Sequence, residues 1–216
     1  MRRRAHGLDS PPVSQPELDR WNARYGAPDY IFGTAPNAFL ASNAARLKRG
    51  QSALCVADGE GRNSVWLAEQ GLDVTAFDFS PIGVEKARRL AAARGVTVRY
   101  DVSSVYDWSW PAAAFDVVAA IFVQFADPPM RAFMFERMAR ALKSGGLLLI
   151  EGYTPAQLQY GTGGPKQVEQ LYTEALLRQA FAGFEVLALR QYEAELDEGS
   201  RHRGMSAVID FAAVKR

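Results

Sequence analysis

Short apolar runs and longer amphipathic stretches alternate along the middle of the chain. The apolar runs predict buried strands at 52–57, 73–77, 96–100, 115–122 and 147–151. The stretches between them have helical spacing and predict helices at 62–70, 80–94 and 128–142. Strands that alternate with helices in this way indicate a parallel sheet with helices on both faces, and right-handed crossovers make that α/β sheet doubly wound.

The last third of the chain does not continue this alternation of strands and helices. Residues 153–166 predict a loop rich in glycine, proline and aromatic residues, and 167–182 predicts a helix. Two further strands are predicted at 184–192 and 205–214, and the short polar connection between them allows antiparallel pairing. The sheet should therefore end with an antiparallel strand.

The N-terminal part of the chain has two regions that differ in composition. Residues 1–16 are basic and then proline-rich, which predicts a mobile tail. The next segment is rich in aromatic residues, and its short helix is expected to end before Gly50. No internal repeat or linker is visible, so we expect a single domain over 17–216. Its expected parts are an N-terminal segment, a core, and a loop with the C-terminal strands, at 17–50, 51–151 and 152–216.

The overall composition argues against several classes of protein. Basic and acidic residues number 25 and 24, a net charge of +1, whereas a nucleic-acid-binding protein normally has a basic excess. No apolar run approaches the ~20 residues that span a bilayer, so no membrane partner is expected. The two histidines and single cysteine lack the spacing of a metal site, so no metal is expected.

The N-terminus and the cysteine bear on the compartment. Residues 1–4 are not followed by the apolar stretch of a signal peptide. An arginine-rich transit peptide is the alternative, although Asp9 and three nearby prolines would interrupt its helix. Cys55 rules out an internal disulfide and is compatible with a reducing cytoplasm. We therefore expect a cytoplasmic monomer or homodimer.

The loop after the first predicted strand is the main candidate for ligand binding, because ligands of open α/β sheets bind beyond the carboxyl ends of the strands. Gly59 and Gly61 allow a ligand to approach the main chain closely. Asp58 and Glu60 would repel the pyrophosphate of a dinucleotide, and Ser64 replaces the third glycine of the dinucleotide motif. S-adenosylmethionine (SAM) carries a sulfonium, an ammonium and no phosphate, so the loop favours SAM over NAD.

Two acids at the ends of later strands extend the candidate site. Asp78 lies about 20 residues past the glycines and could accept both ribose hydroxyls of either nucleotide. Alternatively, Asp78 only favours the N-terminus of the following helix. Asp101 could accept from an adenine amino group while Val102 covers the ring, or it could be a surface turn residue.

Several of these stretches resemble known enzymes. Residues 54–63 and 78–80, with Asp101, resemble the class I SAM-dependent methyltransferase fold. Residues 30–40 and 151–166 resemble the small bacterial methyltransferases of the tellurite- and thiopurine-resistance type. The resemblance implies a three-layer, doubly wound (Rossmann-like), seven-stranded and mostly parallel sheet with an antiparallel last strand. It also implies that the N-terminal aromatic segment folds over SAM as a lid.

The resemblance implies SAM contacts in the lid and at the strand ends. The expected lid contacts are Trp21, Tyr30, Phe32, Gly33 and Thr34. Alternatively, these aromatic residues only cover the core. The expected core contacts are Ala57, Asp58, Gly59, Glu60, Gly61, Arg62, Asn63, Asp78, Phe79, Ser80, Asp101, Val102 and Ile121.

The first predicted strand and the loop that follows it, residues 57–63, here called the donor loop, depart from the usual class I pattern in two places. Cys55 and Ala57 stand where an acid and a glycine are usual. Asp58 is then the expected partner of the SAM ammonium. Cys55 lies within a predicted buried strand, so we interpret it as a packed hydrophobic residue and not as a nucleophile.

Methyl transfer is an in-line (SN2) displacement that leaves S-adenosylhomocysteine, and the protein mainly positions the reactants. We expect a small-molecule acceptor such as a thiol, a chalcogen oxyanion or a similar soft nucleophile. A neutral acceptor would need a base, whereas a soft anion would not. A nicotinamide-dependent oxidoreductase and a SAM-binding protein without turnover remain alternatives.

The candidate catalytic residues lie near the ends of the later strands: Phe122, Gln124, Tyr153 and His202. Phe122 would wall the methyl channel or belong to the core, and Gln124 would orient the acceptor. His202 would take a proton near neutral pH or lie in a solvated turn. Tyr160 and Lys166 would cover the acceptor. Arg201 and Arg203 would attract an anionic acceptor or simply be exposed.

Overall fold

The computed structural model describes residues 15–216, so most of the predicted tail lies outside the described residues. Gln15 and Pro16 do not belong to a tail, because they begin the first helix. Five of the seven strands form the predicted core: β1 (Ser52–Val56), β2 (Asp73–Asp78), β3 (Val98–Val102), β4 (Phe115–Ile121) and β5 (Leu142–Tyr153). The last two strands are β6 (Phe184–Asp197) and β7 (Arg203–Lys215).

Six α-helices accompany the sheet in residues 15–216: α1 (Gln15–Tyr25), α2 (Ala38–Ser42), α3 (Arg62–Glu69), α4 (Pro81–Ala93), α5 (Pro128–Ala141) and α6 (Glu174–Ala180). Three 3-10 helices lie at Ala44–Arg46, Pro155–Gln159 and Val168–Gln170. The predicted helix starts at Ser80 and Asp127 are confirmed, because each side chain caps its helix and a proline follows. No helix of this described part is long and apolar enough to cross a membrane.

The strand order is β3-β2-β1-β4-β5-β7-β6. Strands β1 to β5 pair in parallel, whereas β7 runs antiparallel to both β5 and β6. The predicted doubly wound, mostly parallel sheet with an antiparallel last strand is therefore confirmed. The order reverses between β1 and β4, which is where ligands of such sheets bind.

Two apolar layers enclose the sheet, because successive side chains of a strand point to opposite faces. In β1, Leu54 and Val56 join the core beside α5 and α6, whereas Ala53 and Cys55 join the layer beside α2 and α3. Cys55 is buried, and burial raises the pKa of its thiol, as expected for a packed residue and not a nucleophile.

The prediction was wrong in two parts of the last third. The single helix predicted over 167–182 is a 3-10 turn and a short α6, because the chain is extended between them and Thr173 caps α6. The predicted hairpin is longer than expected, with only residues 198–202 between β6 and β7. The longer strands carry this turn, here called the hairpin turn, towards the N-terminal segment, where the Arg201 N–H donates to the Ile31 carbonyl.

Candidate functional site

A cavity of about 540 Å³ lies at the carboxyl ends of β1, β2, β4 and β5. Its size is typical of a small-molecule site. Helix α1, the segment at 32–33, the loop at 161–167 and the hairpin turn complete its walls. The cavity thus joins segments from both ends of the chain.

Most of the predicted site residues line this cavity. These are Trp21, Phe32, Gly33, Ala57, Asp58, Gly59, Glu60, Arg62, Asn63, Asp78, Phe79, Ile121, Phe122, Gln124, Tyr153 and His202. Six predicted contacts do not line it: Tyr30, Thr34, Gly61, Ser80, Asp101 and Val102. Because no ligand tests these assignments, their roles remain predictions.

Asp78 ends β2 and is held in place by the main chain. Its two carboxylate oxygens accept hydrogen bonds from the N–H groups of Gly59 (3.0 Å) and Ser80 (2.8 Å). Burial raises the pKa of Asp78 to about 6, and the hydrogen bonds from Ser80, Gly59 and Phe79 oppose that rise. The carboxylate has lone pairs to spare for the hydroxyls of a ribose.

Asp58 is the second carboxylate of the cavity, and its partners are neutral. The Ser64 hydroxyl and N–H both donate to it. Burial raises the pKa of Asp58 to about 7, and the Ser64 hydrogen bonds lower it only in part. Within residues 15–216, neither Asp58 nor Asp78 forms an ion pair. A cationic ligand would relieve this cost by pairing with Asp58.

Glu60 does not share that role, which corrects one part of the predicted electrostatics. Its carboxylate pairs with Lys86 of α4 at 2.5 Å, and both side chains are buried. The Phe32 N–H also points to it, at 3.4 Å. Since Lys86 already neutralises Glu60, the acidity available to a ligand comes from Asp58 and Asp78.

Two non-glycine residues in the cavity wall have left-handed backbone conformations. Ala57 after β1 has φ +48°, and Phe122 after β4 has φ +56°. Ala57 stands where class I loops usually have glycine, and the left-handed backbone explains that preference. Strained backbone of this kind at both strand ends of the topological switch point is typical of functional sites.

Four rings form the opposite part of the cavity wall. His202 lies 4.6 Å from Phe32 and 4.3 Å from Phe122, measured between ring centroids. Phe122 also packs against Tyr153 at 4.7 Å. We call Phe32, Phe122, Tyr153 and His202 the aromatic cluster.

His202 is neither a solvated turn residue nor suited to accept a proton near neutral pH. It is buried, and burial together with Arg62 lowers its pKa to about 3. The imidazole is therefore neutral at physiological pH. Its Nδ1 atom and the Tyr153 hydroxyl are buried without a hydrogen-bond partner in the described part of the chain.

The hydrogen bonds of Gln124 also differ from the role predicted for it. Its amide nitrogen donates to the carbonyls of Tyr153 (2.9 Å) and Gln170 (3.1 Å), and its oxygen accepts from the Tyr153 N–H. With both ends of the amide bound to main chain, Gln124 positions Tyr153 and has no polar group left to orient an acceptor.

The six predicted contacts outside the cavity wall have other roles or surroundings. Tyr30 donates to the Lys86 carbonyl, and Ser80 caps α4 while donating to Asn22. Gly61 is the N-cap residue of α3, and a Cβ atom there would lie 2.7 Å from the Ala87 Cβ. Asp101 accepts from the Trp108 indole (2.9 Å) and lies within β3, because that strand is displaced by two residues from its predicted position. Val102 is exposed, and Thr34 is partly buried beside the cavity.

Sequence reasoning missed the helix that carries Tyr25. The ring of this residue lies between Gly59 and Gly83, where added Cβ atoms would come within 2.7 Å of its hydroxyl and 3.0 Å of its ring. Lys86 fixes the segment that follows by donating to the carbonyls of Tyr25, Ala27 and Asp29. A glycine inside a predicted helix, Gly83, was the available signal of this close contact.

Sequence reasoning also missed a network of polar residues that links segments distant in the sequence. Glu198 of the hairpin turn pairs with Arg62 at 2.7 Å and accepts from Asn37. Arg62 also donates to the Phe32 carbonyl, and Asn37 donates to Glu151 at the end of β5. Through this network the donor loop, the N-terminal segment and the hairpin turn hold one another in place.

Comparison with known proteins agrees with the fold described above. Residues 53–146 match the family described as "Methyltransferase domain". An uncharacterised protein from Mycobacterium tuberculosis is 30% identical over 122 residues, which are 56% of this chain and 44% of that protein. The chain thus spans less than half the length of the curated relatives it matches.

Solved structures share the whole fold at low sequence identity. A SAM-dependent methyltransferase from Methanosarcina mazei aligns with a TM-score of 0.67 and 18% identity, covering 84% of this chain and 98% of the other. TehB from Haemophilus influenzae aligns with a TM-score of 0.68 and 17% identity, covering 92% and 67%. At these identities the likeness establishes the fold and leaves the acceptor open.

Proposed function

From the premise that this chain has the class I SAM-dependent methyltransferase fold, with SAM as the implied cofactor, we propose that it methylates a small-molecule acceptor. The observation that carries the proposal is the pair of cavity carboxylates, Asp58 and Asp78, that lack cationic partners in residues 15–216. A cationic, phosphate-free nucleoside satisfies both, whereas a pyrophosphate would be repelled by them. This electrostatic difference disfavours the nicotinamide alternative.

Asp78 is proposed to hold the ribose and Asp58 the ammonium group of SAM. The fixed N–H groups of Gly59 and Ser80 keep the Asp78 carboxylate in one orientation. Tyr25 and the N-terminal segment around Phe32 cover the donor and exclude water. SAM supplies an already activated methyl group, so the protein is needed to position the acceptor and not to activate the donor.

The aromatic cluster is proposed to receive the acceptor. Its walls are apolar, and its two unpaired polar atoms, the Tyr153 hydroxyl and His202 Nδ1, can fix the acceptor by hydrogen bonds. Since the pKa of His202 is about 3, residues 15–216 hold no histidine base that is ready to deprotonate a neutral acceptor. A soft nucleophile that is ionised or needs no deprotonation, such as a thiolate or a chalcogen oxyanion, fits this site best.

Two measurements test the proposal. Melting temperature should rise with SAM or S-adenosylhomocysteine and stay unchanged with NAD, because only the first two match the carboxylates. S-adenosylhomocysteine should then form when SAM is incubated with a panel of thiols, thiopurines, selenite, tellurite and phenolic acids. A shift with NAD alone contradicts the proposal, and SAM binding without turnover on the whole panel supports a non-catalytic SAM-binding protein.

A further inference from the structure

Five cationic side chains line the cavity that contains the two carboxylates, and one of them, Arg62, is already paired with Glu198. Arg20 and Arg24 come from α1, Lys166 from the loop at 161–167, and Arg201 from the hairpin turn. The cavity therefore has carboxylates at the strand ends and cationic side chains on the three segments that cover it. SAM does not account for all of these cations, because it carries a single carboxylate beside its own two cationic groups.

The positive charges are poorly compensated by the protein. Arg20 pairs with Glu17, and Arg24 lies over the Trp21 ring at 4.8 Å. Over residues 15–216, Arg24, Lys166 and Arg201 form no ion pair. Burial lowers the pKa of Arg24, and the nearby Arg20 and Arg201 lower it further. Like charges held together in this way favour the binding of an anion.

A second observation points to a ligand in the same space. The Tyr153 hydroxyl and His202 Nδ1 are buried in residues that are only 2% and 8% exposed, and neither has a partner in the described chain. Unpaired buried polar atoms are costly, and a ligand that hydrogen-bonds to them removes the cost. Arg201 precedes His202 directly, so both residues line the cavity from one turn.

We infer that the ligand received by the aromatic cluster is a small organic anion, whose negative group is bound by Arg24, Arg201 and Lys166. Its planar body lies against Phe32 and Phe122. The inference rests on the proposed function only in identifying this ligand as the methyl acceptor. Arg203, by contrast, does not line the cavity and pairs with Asp197 at 3.6 Å.

Benzoate and benzamide provide a matched pair of probes, because they share a planar shape and differ in charge. Their dissociation constants are measured by ligand-observed NMR on the full chain saturated with S-adenosylhomocysteine. Benzoate should bind at least about tenfold more tightly than benzamide at low salt, and added salt should remove most of the difference. Arg24→Gln and Arg201→Gln should each weaken benzoate alone.

The control is Arg140→Gln, since Arg140 is an exposed arginine on α5 outside the cavity wall, and it should leave both probes unchanged. Equal affinity for the two probes, or no binding of either, overturns the inference. S-adenosylhomocysteine affinity, measured in the same samples, reports separately on the proposed function. If that affinity is absent, the proposed function fails; if it persists while benzoate has no advantage, only the anion inference fails.

Discussion

The two halves of the cavity are built in different ways. The donor half, Asp58, Gly59 and Asp78, lies on neighbouring strand ends within a short stretch of chain. The acceptor half is the aromatic cluster, whose four members come from the N-terminal segment, the residue after β4, the end of β5 and the hairpin turn. The donor half therefore follows from local geometry, whereas the acceptor half exists only after distant segments have packed together.

This difference predicts how variants will separate the two halves. A change on the strand ends should affect donor binding and spare the acceptor half. A change in the loop at 161–167, which packs against Tyr153 of the aromatic cluster, should do the reverse. A change in the residue that fastens the N-terminal segment to the donor loop should affect both.

Lys86→Met should have the largest effect, because Lys86 fastens the N-terminal segment to the donor loop. It leaves the buried Glu60 without its partner and removes the donor to three carbonyls. We expect the free energy of unfolding to fall by about 3–5 kcal/mol in chemical denaturation.

Lys143→Met is the matched control, since Lys143 also pairs with an acid, Asp116, but is only partly buried, and its loss should cost about 1 kcal/mol. Adding Glu60→Gln to Lys86→Met should restore part of the stability by removing the unpaired charge. Equal effects of the two lysine variants would show that Lys86 does not fasten the segment.

Asp78→Ala should affect the donor half alone. The change removes the proposed ribose acceptor and leaves the N–H groups of Gly59 and Ser80 without a partner. Calorimetry should show S-adenosylhomocysteine binding weakened by about 1–3 kcal/mol. Asp73→Ala, at the exposed start of the same strand, should bind normally. Normal binding by Asp78→Ala would remove this residue from the donor site.

Gly164→Ala should affect the acceptor half alone. Gly164 has φ +78°, and an added Cβ would lie 2.7 Å from the Tyr153 ring. Displacing that ring should lower kcat/KM for the acceptor by roughly tenfold or more, while donor affinity is unchanged.

Gly161→Ala is the control that distinguishes the steric clash with Tyr153 from backbone strain. Gly161 also has a positive φ, +65°, but nothing lies within 4 Å of the added atom. Both variants should lose about 1–2 kcal/mol of stability, and only Gly164→Ala should lose acceptor kinetics. Equal kinetic losses would mean that contact with Tyr153 is irrelevant.

The pH dependence of donor binding is the smallest expected effect. The pKa of Asp58 in the free protein is about 7, and only its ionised form attracts an ammonium. Affinity for S-adenosylhomocysteine should therefore rise by up to about tenfold between pH 6 and 8, with a proton released on binding. Asp78, whose pKa is about 6, is already half-ionised at pH 6 and can add only about a twofold change over this range.

Asp58→Asn should flatten that profile and abolish the proton release. Calorimetry in two buffers of different ionisation enthalpy measures the release directly. If the profile of the wild type is flat, or if it persists in Asp58→Asn, Asp58 is not the partner of the ammonium.

The same difference decides what could be predicted from the sequence. Asp78 could be placed because the strand pattern and the position of the glycines fix where β2 ends. The pairing of Glu60 with Lys86 could not, since Lys86 lies on a later helix and no local pattern reports which charges meet.

The acceptor half was less predictable for the same reason. His202 was recognised as a candidate, but its burial, and hence its low pKa, depends on Phe32 and Phe122 packing around it. Gln124 was assigned to the acceptor because it follows β4, yet its amide binds the main chain of the neighbouring β5. Strand ends are thus predictable as positions, whereas the partners of their side chains are not.

A crystal structure with S-adenosylhomocysteine tests the central claim most directly. The account predicts that the ligand lies in the cavity, with both ribose hydroxyls on Asp78, the amino group on Asp58 and the sulfur facing the aromatic cluster. A ligand bound elsewhere would contradict it, as would a dinucleotide whose diphosphate rests on Gly59 and Gly61.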